Sequence, residues 1–128
     1  MKILLDTHIF LWLLSGDGRL SGPAKTIFLN EENEIYFSVA SLWEIGIKIS
    51  LGRLKLADNW KEVIEDEMAV NLIKLLQISK RHCYKLVDLP FHHRDPFDRM
   101  LIAQAMVEEL SILSCDGQFC AYDVRSIC

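Results

Sequence analysis

The chain has 128 residues, 51% of them apolar and 25% charged, with a formal net charge of −4 at pH 7. That is the length of one domain with its own core and the composition of a globular protein, which excludes fibrous and disordered classes. The negative balance excludes a protein that grips nucleic acid through bulk positive charge alone, and no apolar run reaches the ~18–20 residues of a membrane span.

The leading "MKILLDTHIFLWLL" is apolar, but it carries an aspartate within the run and lacks a small-residue cleavage site. It is therefore read as part of the fold and not as a secretory signal, and the expected setting is the cytoplasm. Cys83, Cys115, Cys120 and Cys128 match no zinc-ribbon or C-x-x-C spacing and are expected to be free, mostly buried thiols.

In chain order, "KILLD" reads as a buried strand ending in an acid, and "THIFLWLLSG" as a helix stopped by Gly16 and Gly18. "SGPAKTIFLNEEN" predicts a second helix, with Ser21 as its cap and Pro23 in its first turn. "EIYFS" is β-branched and aromatic, hence a strand. "SLWEIGIKIS" puts Leu42, Ile45 and Ile49 on one face of a helix that ends near Gly52. "DNWKEVIEDE" spaces Trp60, Val63, Ile64 and Glu67 as a helix capped by Asp58. "AVNLIKL" reads as strand, "SKRHCYKLVDL" as a short helix before Pro90, and "DPFDRMLIAQAMVEEL" as the longest helix. "SILSCD" is a strand followed by the turn "DGQF", and "YDVRSIC" offers a short edge strand. Strands alternating with helices at this spacing predict an α/β protein, a parallel sheet with helices on both faces, in one domain over residues 1–128.

Each acid near these junctions has an ordinary structural reading. Asp6 ends the first strand and can cap the following helix. Glu44 stands three residues after Ser41 in a capping-box pattern and four before Lys48, an i, i+4 pair. Asp95 precedes Pro96, a standard helix start, and lies four residues before Arg99. Asp116 precedes Gly117, as in a plain turn. Asp98 differs, because it shares a face with Leu101, Ile102, Ala105 and Met106, where an ionised carboxylate is costly unless paired, hydrogen-bonded or bound to a metal.

Taken together, the acids have a common address. Asp6 and Asp116 follow the carboxyl ends of strands, and Glu44 and Asp98 are expected in first turns of helices, places that line the ligand-binding edge of an open parallel sheet. Like charges gathered there raise one another's pKa unless cations neutralise them. Oxygen-only donors suit Mg²⁺ or Mn²⁺ better than zinc, and such a centre points to phosphodiester chemistry, with the ion activating water and stabilising the departing oxygen. His92 and His93 precede the long helix; a metal or base role stands beside the plainer reading of solvated or packing side chains.

The segments "LLDTHIFLWLL", "SLWEIGIKISLGRL", "HHRDPFDRMLIAQA" and "SCDGQF", in this order, resemble the PIN-domain family, and within it the VapC-type toxins of bacterial toxin–antitoxin modules. The resemblance covers essentially the whole chain. It implies a three-layer α/β/α domain with a parallel sheet of four to five strands. It also implies Mg²⁺- or Mn²⁺-dependent endoribonuclease activity on RNA, inhibition by a cognate antitoxin whose tail occupies the active-site groove, and a homodimer. The family's four-acid site maps onto Asp6, Glu44, Asp98 and Asp116, the hydroxyl before the last acid onto Ser114, and Asp95 matches a further acid of this branch.

On this reading Asp6 and Asp98 are the direct metal ligands, while Glu44 and Asp116 complete the site or orient water. Thr7 and Ser114 supply supporting hydrogen bonds. Arg99 is a candidate phosphate contact, as is the basic group Lys80, Arg81 and Lys85. A receiver-like phosphoacceptor domain is the first rival, but it needs paired acids after the first strand and a lysine where "SCDGQF" has an aspartate. The second rival is an interaction protein whose acids only cap helices.

Overall fold

The computed structural model describes residues 1–127. The strands β1 (Lys2–Leu5), β2 (Glu34–Ser38), β3 (Lys74–Leu76), β4 (Ser111–Leu113) and β5 (Ser126–Ile127) form a five-stranded sheet in the order β3-β2-β1-β4-β5. Every pair is parallel. Parallel neighbours require long crossovers, supplied here by helices. These are α1 (Thr7–Ser15), α2 (Gly22–Leu29), α3 (Val39–Ser50), α4 (Trp60–Val70), α5 (Lys80–Asp88) and α6 (Pro96–Glu108).

The sheet is buried on both faces, and β1 shows why its residues are continuously apolar. Ile3 and Leu5 pack with Ile9, Phe10, Ala24, Phe28, Ile45 and Ile64 in a cluster built on α1 to α4. Leu4 points the other way, into Leu101, Ile102, Ala105 and Phe119. Alternate side chains of a strand face opposite sides, so each face needs its own apolar cover. Phe10 stacks on Phe37 at 4.0 Å between centroids, fixing α1 against β2.

The chain winds outward from β1 to β3, then returns to the far side of β1 to lay down β4 and β5. Helices on either side of such a reversal diverge to opposite faces and leave a crevice past the carboxyl ends of the strands. Leu5 is registered opposite Leu113, and the Asp6 N–H donates to the Leu113 carbonyl at 3.0 Å. The residues just past β1 and β4 are thereby set side by side.

Several local expectations are corrected. α3 starts at Val39, capped by Ser38, whose Oγ accepts the Ala40 N–H at 3.0 Å. Ser41 is therefore inside the helix, and Glu44 lies in the second turn instead of a capping box. α4 follows Asn59, not Asp58, and has no side-chain cap bond. β3 is shorter than "AVNLIKL", because Val70 ends α4, Asn71 caps it by donating to the Glu67 carbonyl, and Leu72 takes φ 54. "DGQF" opens a 3-10 helix, Gly117–Ala121, instead of a bare turn; Asp116 Oδ1 accepts the Gln118 N–H at 2.9 Å. Cys83 and Cys120 are free but exposed, contrary to the expected burial. Cys115 is disulfide-bonded, not free, and Cys128 lies outside the described residues. Among the described residues no helix is long and apolar enough to cross a membrane.

Candidate functional site

The crevice past β1 and β4 is where the acids meet. Asp6 occupies the N-cap position of α1, yet its side chain makes no capping bond. Instead Oδ2 accepts the Ser114 hydroxyl at 2.8 Å, and Ser114 Oγ accepts the Asp116 N–H at 3.0 Å. Ser114 thus ties the first acid to the backbone of the last. Asp6 is buried, and burial pushes its carboxyl above the ordinary range; the Ser114 hydroxyl and the charge of His8 oppose the rise, whereas Glu44 adds to it.

Asp98 stands in the first turn of α6, its side chain 14% exposed. Its carboxyl is pushed up to about 8, first by burial and then by the negative charges of Asp6, Asp95, Glu44 and Asp116. All the sequence-predicted acids therefore act on one point.

They do not act alike. Asp95 caps α6, its Oδ1 accepting the N–H groups of Phe97 at 2.9 Å and Asp98 at 3.1 Å. Glu44 is buried with both oxygens engaged: Thr7 donates to Oε1 at 2.9 Å, and Lys48 Nζ lies 2.7 Å from Oε2. The expected i, i+4 pair is present, and it turns this carboxylate toward its own cation. Thr7 Oγ1 also meets Ser41 Oγ at 2.8 Å, joining α1 to α3. Below, Ser38 donates to Gln104 Oε1 at 2.6 Å, so the cap of the Glu44 helix is bonded to the Asp98 helix.

One site residue was underrated in the sequence. His93 is buried, with Nε2 2.8 Å from Asp98 Oδ2 and 3.3 Å from Asp116 Oδ2. Donor atoms of His93, Asp98 and Asp116 all lie within 4.8 Å of one another. Its signal was faint: two adjacent histidines before an Asp-Pro helix start, with nothing local to separate them. His92 is exposed and stands edge-on to Tyr122 at 5.2 Å.

Arg99 is a correction. It is only 7% exposed, and its guanidinium donates to the carbonyls of Leu86, Leu89, Pro90 and His93 and to Tyr122 Oη. With Nη1 and Nη2 both bonded to protein acceptors and the side chain buried, the guanidinium faces the protein and not a phosphate, so that role is withdrawn; Arg99 clamps the loop that carries His93. Lys80, Arg81 and Lys85 belong to α5, which lines neither cavity beside the acids.

Those cavities adjoin. A pocket of about 240 Å³ is lined by Asp6, Asp116, His8 and Trp12, and a cleft of about 510 Å³ shares His8 and Trp12 with it. The cleft runs between α1, α3 and α4, where Trp12, Trp60, Arg19, Lys48, Arg53 and Lys55 line it. Arg19 is paired with Asp17 at 2.6 Å; among the described residues Arg53 and Lys55 pair with no acid.

The acids suit a divalent cation on chemical grounds. Their donors are hard carboxylate oxygens, and a nearby cation offsets the repulsion that adds to burial in raising Asp98.

The PIN-domain family model matches residues 3–125 of the chain. The chain belongs to the PIN-domain family. As a PIN domain it has the parallel α/β architecture described above, and solved structures share that fold across nearly the full length. VapBC2 from Rickettsia felis, bound to a DNA fragment from its promoter, aligns with a TM-score of 0.74 at 13% identity, covering 98% of this chain and 97% of that one. DNA-bound VapBC from Salmonella typhimurium gives 0.71 at 14%, covering 98% and 96%. A toxin–antitoxin complex from Klebsiella pneumoniae gives 0.63 at 18%, again covering 98% and 96%. Identities this low speak for the PIN fold alone. No curated protein sequence shows a significant match.

Proposed function

We propose that this PIN domain is a Mg²⁺- or Mn²⁺-dependent endoribonuclease, the toxin of a toxin–antitoxin module. The observation that carries the proposal is the gathering of Asp6, Asp98 and Asp116 in the crevice between β1 and β4, with Glu44 close enough for its charge to act on both Asp6 and Asp98. The competing idea, acids that only cap helices, accounts for Asp95 and Asp116 but not for Asp6, whose cap position goes unused, nor for Glu44 and Asp98.

Asp6, Asp98 and Asp116 would hold the cation. When bound, such an ion activates water toward a phosphodiester and offsets charge on the departing 3′-oxygen. The protein's part is positional. Ser114 orients Asp6, Asp95 sets the start of the Asp98 helix, and Thr7 with Lys48 holds Glu44 behind the ligands as a fixed charge.

With Arg99 enclosed, Arg53 and Lys55 take over as phosphate contacts, and Trp12 and Trp60 in the same cleft offer stacking surfaces for an unpaired RNA strand. That restores the positive surface that the net charge of −4 denies the chain as a whole.

The toxin assignment draws on neighbours described as VapBC and toxin–antitoxin complexes, and it brings a cognate antitoxin as partner and the cytoplasm as setting. Homodimerisation is part of the same reading. Trp43, 61% exposed and edge-on to Phe97 at 5.2 Å, offers apolar surface beside Glu44 and Asp98 for a second copy. The deciding experiment is RNA cleavage with Mg²⁺ or Mn²⁺ by the wild type and by Asp98→Asn. Cleavage by the wild type alone is expected; equal activity in both rejects the assignment.

A further inference from the structure

His93 sits where a metal-binding imidazole would sit, and its surroundings give it another task. The backbone N–H of Asp95 donates to His93 Nδ1 at 3.2 Å. A neutral imidazole has one N–H and one lone pair, so with the lone pair of Nδ1 occupied the proton is on Nε2. Nε2 then faces Asp98 Oδ2 at 2.8 Å and Asp116 Oδ2 at 3.3 Å as a donor, with no lone pair to give a cation.

The loop that carries the ring is fixed. The His93 N–H donates to Tyr122 Oη at 2.8 Å, its carbonyl accepts from Arg99 at 3.4 Å, and Phe119 stands against the ring at 6.0 Å. Tyr122 in turn donates to the Pro90 carbonyl at 2.8 Å, closing the loop on itself. A flipped ring would put Cδ2–H in the place of Nδ1 and leave the Asp95 N–H without its acceptor.

We infer that His93 is a positioning residue: its Nε2–H bridges Asp98 and Asp116 and holds two mutually repelling carboxylates in the orientation that receives the cation, without itself being a ligand. This rests on the metal centre proposed above. The bridge occupies Oδ2 of each acid; Asp98 Oδ1 is left to the ion, and Asp116 Oδ1, which accepts the Gln118 N–H, keeps a second lone pair for it. It also explains a buried arginine that touches no substrate, since Arg99 holds the loop that holds His93.

Nitrogen-edited NMR of the metal-free protein reads the tautomer without any ion. A protonated Nε2 and bare Nδ1 are expected for His93; the opposite tautomer overturns the inference. Electron spin echo modulation of the Mn²⁺ complex reads ligation, and the wild type should show no imidazole-nitrogen coupling. A coupling that disappears in His93→Gln makes His93 a ligand and ends the proposal.

Titration of Mn²⁺ completes the test. His93→Gln keeps an N–H donor at the Nε2 position and should hold affinity within about threefold of the wild type, whereas His93→Ala should lose about 10–100-fold. Wild-type affinity in the alanine variant overturns the positioning role. A wild type that binds no Mn²⁺ removes the metal centre and this role with it, and the NMR result then shows whether the tautomer alone was read correctly.

Discussion

Ser114 donates its hydroxyl to Asp6 at 2.8 Å across 108 residues of sequence. The bond exists because β1 and β4 are parallel neighbours with Leu5 opposite Leu113, so the next residue of each strand emerges at the same level. Burial raises the Asp6 carboxyl, and this hydroxyl is the largest influence opposing the rise. Replacing Ser114 by alanine leaves a buried acceptor short of a donor and should cost about 1–3 kcal/mol in urea denaturation. No loss of stability would mean that the contact is incidental.

Asp98 sets a pH dependence whose sign follows from its surroundings. Its carboxyl stands at about 8 in the folded chain against an ordinary 3.8, so the folded state binds the proton more tightly. The stability this provides is complete below 3.8 and is lost as pH rises toward about 8. Metal-free wild type should therefore melt at progressively lower temperature across that interval, and Asp98→Asn should flatten the trend. An identical slope in the variant would show that Asp98 is not the group responsible.

Metal reverses that penalty in the wild type. A cation bound only by the folded state at a hundredfold its dissociation constant stabilises by about 2.7 kcal/mol. Because binding must displace the Asp98 proton, Mn²⁺ affinity should rise about tenfold per pH unit below about 8. Thermal shifts at several pH values check both. The Asp98→Asn variant should show neither the shift nor cleavage, with activity down by more than about a hundredfold, since loss of a ligand exceeds loss of its supporting partner.

Arg53 and Lys55 are predicted to meet RNA phosphates. Each contact to a single strand contributes about 0.7 to the slope of log affinity against log salt, so replacing both by alanine should lower the slope by about 1.4. The measurement uses an uncleaved single-stranded RNA on the Asp98→Asn background. An unchanged slope would move the strand to another surface.

Arg99 should behave in the opposite way. Its planar fork serves the carbonyls of Leu86, Leu89, Pro90 and His93, and an ammonium cannot reproduce that geometry. Arg99→Lys should lose about 1.5–3 kcal/mol in chemical denaturation, as for hydrogen bonds to a charged group. Its RNA salt dependence should match that of the parent. A reduced slope would restore Arg99 as a phosphate contact.

Much of the fold could be read from local chemistry. The strand "EIYFS", Ser21 as cap of α2, and the Asp95–Pro96 start of α6 depend on neighbours within a turn or two, and each stands where expected. The errors have one origin. Ser41 and Glu44 fit a capping box, yet Ser38 bonds both the Ala40 N–H and Gln104 from α6, and that distant partner draws the start of α3 back to Val39. Arg99 looked like a cation next to acids because one-dimensional spacing cannot show that the loop before it folds back over its guanidinium.

Residue type and spacing were enough for the α/β class, for the acids as a set, and for Asp98 as the costly one, because period and burial cost are properties of short segments. Packing alone decided that Glu44 turns to Lys48, that Asp6 leaves its cap position for Ser114, that Arg99 is enclosed and that His93 faces the acids. Those outcomes depend on strand register and on hydrogen bonds between residues far apart in the chain, and no local pattern encodes which partner lies across the crevice.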